Sequence, residues 1–138
     1  MFRRGRGRGA VPPELVGLAA DFAATVELVE AARAALLTAV PSGRGAGAPL
    51  AEALAGFEWR LGVARATMDR WRASPIEPTW QACSAALDDA ATRAEHLRLE
   101  AMPRGYEELY GALGDLIEPL EVFEQAAGLF DGVGLDRP

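Results

Sequence analysis

Lysine and asparagine are missing from this 138-residue chain, and histidine and cysteine occur once each. Each shortage closes a line of chemistry. Without Lys there is no phosphate-gripping P-loop lysine and no Schiff base. One His and one Cys cannot build a multi-His zinc site, a Cys-cluster metal site or an internal disulfide within one copy. No cofactor is therefore expected. No stretch of about 18 or more uncharged apolar residues is available to cross a bilayer, so no membrane partner is expected. A single thiol suits a reducing compartment. The basic start, Met1 to Gly9, leads into acid-punctuated sequence rather than the apolar core of a signal peptide, and the reading places the protein in the cytoplasm.

What is present is charge of two signs in different places. The chain carries 14 Arg against 20 acids, a net charge of -6, and half its residues are apolar, which suits one domain with one core. Arg3, Arg4, Arg6 and Arg8 sit among glycines with no acid, and everything after residue 9 then carries a net -10. A flexible basic arm, residues 1–11, is thus joined to an acidic body. Residues 105–135 hold Glu107, Glu108, Asp115, Glu118, Glu121, Glu124 and Asp131 and no Arg.

Proline and glycine punctuate the body at Pro12-Pro13, between Pro41 and Pro49, at Ser74 to Pro78 and at Pro103 to Gly105. Between these breaks apolar residues recur at alternating steps of three and four, the spacing of one helix face. The first stripe is Leu15, Leu18, Phe22, Thr25, Val29, Ala32, Leu36 and the second Leu50, Leu54, Phe57, Leu61, Ala64, Met68, Trp71. The third is Trp80, Cys83, Leu87, Ala90, Ala94, Leu97, Ala101, and the fourth Tyr106, Leu109, Leu113, Leu116, Leu120, Phe123, Ala127, Phe130. The spacing predicts an all-α protein with helices over about 13–40, 50–73, 76–101 and 104–130, within a domain of residues 12–132 followed by a tail, 133–138. Short connections favour an antiparallel up-down-up-down four-helix bundle. Pro13 and Pro49 suit first-turn positions, and Ser74 to Glu77 has capping-box spacing. Pro119 removes the bond to Asp115 and crowds that carbonyl, so a kink is expected within the fourth helix. Trp71 and Trp80 flank the second turn and are expected to close that end of the core.

The outer faces of the first two helices carry the candidate site. Opposite the core seam of helix two stands Trp59, among Ala55, Gly56, Val63 and Ala66; the back of helix one carries Val16, Ala20, Ala24, Leu28, Ala31 and Ala35. A helix apolar nearly all round is commonly buried on more than one side. The expectation is a non-enzymatic interaction or regulatory protein that contacts a protein partner or forms a homodimer through these backs, with Leu28, Ala55, Gly56, Trp59, Val63 and Ala66 at the interface. Two alternatives stay open. The Arg-Gly arm could give RNA or DNA a weak, sequence-blind contact through Arg3, Arg4, Arg6 and Arg8, or lie against the acidic face of helix four. The bundle could instead hold an apolar small molecule in a cavity lined by Phe57, Met68, Trp71, Trp80 or Phe123.

Catalytic readings meet the wrong neighbours. An exposed His on a bundle helix is a feature of histidine phosphotransfer domains, but the Lys and Gly their motif places three and four residues later are Leu99 and Glu100 after His96. Ferritin-like di-iron sites need Glu-x-x-His on two helices, whereas the residue three before His96 is Arg93. Cys83 falls on the core seam, as a buried thiol. No catalytic residue is assigned. If the fourth stripe faces the core, Leu113→Ala should lower stability by about 2–5 kcal/mol in urea denaturation; an unchanged midpoint would refute that register.

Overall fold

The computed structural model describes residues 13–39, 48–100 and 106–130, and every sequence expectation about the arm and the tail lies outside them. No strand occurs among the described residues. The described residues form four helices: α1 (Pro13–Ala39), α2 (Ala48–Thr67), α3 (Glu77–Leu99), and a fourth in two pieces, α4 (Tyr106–Ile117) and α5 (Val122–Ala127). Short 3-10 turns extend α2 over Met68–Trp71, precede α3 over Ser74–Ile76, join α4 to α5 over Glu118–Glu121 and follow α5 over Gly128–Phe130. Pro13 opens α1, and Pro49 and Pro78 occupy first-turn positions where a missing N–H costs nothing.

The predicted stripes meet in one core. Every member of the second, from Leu50 to Trp71, is buried, as are Phe22, Thr25, Val29, Ala32 and Leu36 of α1 and Trp80, Cys83, Leu87, Ala90 and Ala94 of α3. Phe22 gathers the far elements: its ring stands edge-on to Trp71 at 4.9 Å and stacks on Phe130 at 4.6 Å, with Phe123 at 6.5 Å. Trp71 and Trp80 are buried together at the α2–α3 end, as expected.

Burying two indoles requires partners for their N–H groups. Trp80 donates to the carbonyl of Met68 at 2.8 Å, in the 3-10 turn that ends α2. Trp71 donates to Thr25 Oγ1 at 2.9 Å, and Thr25 and Thr67 share a hydroxyl–hydroxyl bond of 2.5 Å. The direction of that bond follows by elimination. Thr67 gives its only proton to the carbonyl of Ala64 at 2.7 Å, so Thr25 must be the donor to Thr67. The relay Trp71 → Thr25 → Thr67 → Ala64 thus leaves no donor unused, and it lies where α2 tightens into its 3-10 turn.

Pro119 behaves as a break without a change of face. The α-helix stops at Ile117, winds as 3-10 over Glu118–Glu121 and resumes at Val122, while Leu116, Leu120, Phe123 and Phe130 stay buried. Its i−4 carbonyl, that of Asp115, is taken by Arg93 Nη1 from α3 at 2.7 Å. The tighter winding carries the stripe one residue forward. Ala126, in steps of three from Leu120 and Phe123, is buried where the α-helical spacing places Ala127.

The capping box is not formed. Ser74 makes no side-chain cap bond, and the Glu77 carboxylate that would complete the box is held by Arg72 and Gln81 instead. Thr25→Val keeps the shape of the side chain but strands the Trp71 N–H in the core, so it should destabilise by about 1–3 kcal/mol in urea unfolding. An unaltered midpoint would show that the relay contributes no net stability.

Candidate functional site

Three tryptophans occupy two kinds of environment. Trp71 and Trp80 are 0% and 2% exposed with bonded N–H groups; Trp59 is 69% exposed, and its indole makes no hydrogen bond or ring contact among the described residues. At 100° per residue, Glu52, Ala55, Gly56, Gly62, Val63 and Ala66 all fall within about 60° of Trp59 on α2. Ala55, Ala66, Gly62 and Glu52 are exposed, Gly56 and Val63 half-buried. The predicted residues of α2 are therefore brought together on one outward strip. Arg60 folds back over Gly56, so close that a Cβ there would meet its Nη1 at 2.8 Å. Leu28 is placed differently: it is half-buried and packs against the core, while Val16, Ala20, Ala24 and Ala31 of α1 are exposed.

Ion pairs fix the flanks of this strip. Arg98 grips Glu58 with two bonds of 2.7 and 3.0 Å, tying α3 to α2 one residue from Trp59, and the pairing raises the Arg98 pKa. Arg33, Arg65, Arg72 and Arg93 also pair with acids. Among the described residues, Arg60 and Arg70 alone of the arginines lack an acidic partner, and both belong to the α2 segment. The α-helical period finds Trp59; it cannot find these pairings, which join residues as far apart as 58 and 98.

At the α2–α3 corner a guanidinium covers the outside of the core. Arg72 lies 3.8 Å from the Trp80 ring centroid and Arg65 4.9 Å from it. Arg72 holds Glu77 through bonds of 2.6 and 3.1 Å, and Gln81 donates to the same carboxylate at 2.7 Å. The hydrogen bond from Arg72, then that from Gln81, draws the Glu77 pKa from 4.5 down to about 2.

The remaining chemistry is dispersed. Burial pushes the Cys83 thiol up to about 12, leaving it protonated and poorly nucleophilic at neutral pH. His96 is exposed on the rim of a groove of about 480 Å³ between α3 and α4, floored by Leu97, Ala112 and Leu116. Its Nδ1 lies 3.4 Å from Glu100, but no hydrogen bond joins it to Thr92 one turn earlier. Arg93, on the same rim, is committed to Asp89 and the Asp115 carbonyl. No cluster of three or more His, Cys, Asp or Glu able to hold a metal ion occurs among the described residues, and no described helix is long and apolar enough to cross a membrane. Phe57, Met68, Trp71, Trp80 and Phe123 are all buried in the core, and none of them lines the groove at His96, the one at Glu30 or the one at Pro78. Arg3, Arg4, Arg6 and Arg8 lie outside the described residues.

No known protein family, curated protein or solved structure matches the chain.

The depressed pKa of Glu77 has a signed consequence. Stability from its pairing is present above the unfolded value near 4.5 and is lost as pH falls toward about 2. Glu77→Gln should be less stable than wild type above about pH 5, and the gap should close between about pH 4.5 and 2 in urea titrations. A gap independent of pH would show that the ionic pairing does not carry the effect.

Proposed function

We propose that this chain is a non-enzymatic interaction or regulatory protein, an antiparallel up-down four-helix bundle that presents the outer strip of α2 and the small-residue back of α1 to another protein surface, a second copy first among them. The observation that carries this reading is Trp59. A Trp that is 69% exposed between Ala55, Gly56, Val63 and Ala66 loses its contact with water only against a partner. Burying such an aromatic at the centre of a contact is how a small patch supplies most of the binding energy.

The antiparallel arrangement is supported by the order in which residues meet. Phe22 faces Trp71 and Thr25 faces Thr67; Glu58 faces Arg98, and Met68 faces Trp80. Arg93 reaches Asp115, and Pro78 shares a groove with Gln125 and Leu129; Phe22 stacks on Phe130, and Glu30 shares one with Ile117 and Glu121. In every pair of neighbours one number rises as the other falls. A reducing, cytoplasmic setting fits the lone protonated thiol of Cys83.

Light scattering tests the reading. Wild type should run at twice the chain mass, and Trp59→Glu, which is exposed and leaves the core intact, should weaken association at least thirtyfold, on the order of 2 kcal/mol or more. Equal masses for the two proteins would overturn the role given to this strip.

A further inference from the structure

Charge is laid out along α2 in a way that the other described residues do not answer. Glu52 stands near the start of the strip that bears Trp59, and Arg70 stands in the 3-10 turn that ends it; both are exposed and neither has an ionic partner among the described residues. In a chain with a surplus of acids, where the other described arginines except Arg60 are paired, an unanswered guanidinium on this strip marks a place where the acid arrives from outside.

We infer that the partner is a second copy of this chain, its α2 docked antiparallel on the first about a two-fold axis level with Leu61, so that Glu52 of each copy pairs with Arg70 of the other. The inference rests on the reading of the α2 strip as a contact surface and adds to it the occupant and the register. Leu61 lies nine positions from Glu52 and nine from Arg70, five from both Gly56 and Ala66, and two from both Trp59 and Val63. A two-fold axis there sets Glu52 opposite Arg70, Gly56 opposite Ala66 and Trp59 opposite Val63, each twice, as an isologous contact requires. The partner's Ala66 meets the Arg60 side chain that lies over Gly56, and each indole covers the partner's half-buried valine. A parallel pairing would instead set Glu52 on Glu52 and Arg70 on Arg70, with like charges at both ends and aligned helix dipoles. Exposed ion pairs add little affinity, so Trp59 supplies the binding and the charges select orientation and register.

Charge exchange gives the test, because a two-fold contact makes a distinctive demand on mixtures. Glu52→Arg alone places Arg against Arg at both ends, and Arg70→Glu alone places Glu against Glu. Each should weaken the wild-type dimer by about tenfold at low salt, in sedimentation equilibrium. An equimolar mixture of the two variants should form heterodimer as tightly as wild type, resolved by mass in native mass spectrometry, and the double variant should also recover. All three residue changes, at Glu52, Trp59 and Arg70, are on the surface, and circular dichroism verifies the fold. If both single variants dimerise like wild type while Trp59→Glu does not, the register is wrong and the contact surface stands. If Trp59→Glu also dimerises like wild type, or if wild type is monomeric at every concentration loaded, both the surface and its occupant are overturned.

Discussion

Thr25 is the buried polar residue on which the arrangement of the first two helices turns. An indole N–H cannot be left unbonded in a core, and Trp71 finds its acceptor only in the hydroxyl of Thr25, which must pass its own proton on to Thr67. That requirement is directional and short-ranged, so it tolerates one register of α1 against α2 where apolar contact alone would accept several. With Trp71 held in place, Phe22 has an edge to pack against on one side and the rings of Phe123 and Phe130 on the other. One hydroxyl thereby couples the pairing of α1 with α2 to the docking of the last helical segment.

A comparable economy governs the broken fourth helix. Pro119 strips the Asp115 carbonyl of its helical donor, and Arg93 supplies a replacement across the α3–α4 boundary while remaining paired to Asp89. A defect in one helix becomes a tether to another. The α2–α3 corner follows the same logic: Arg72 shields the indole of Trp80 and is itself kept in position by Glu77.

The apolar period made most of the core legible in the sequence. Leu50 through Trp71 fall inward without exception, because a helix of constant winding repeats its face predictably. Where winding changes, the reading slips: Ala126 replaces Ala127 after the 3-10 turn at Pro119. Where side chains have a choice of partner, local patterns mislead, as Glu77 abandons the capping box for Arg72. The candidate site divides likewise. Trp59 and its small neighbours were visible from angular placement on one helix. The unpaired state of Arg60 and Arg70 was not, because it depends on which acids the other helices bring near, and Leu28, next to buried Val29, is half-buried against the core.

The unequal placement of the three indoles also gives the protein a built-in optical division of labour. Trp71 and Trp80, buried and hydrogen-bonded, should emit from settings screened from water, whereas Trp59 should emit from water and be open to collisional quenchers. Intrinsic fluorescence therefore carries two separable signals. The blue component follows the integrity of the core, and the quenchable red component follows only what covers the surface of α2.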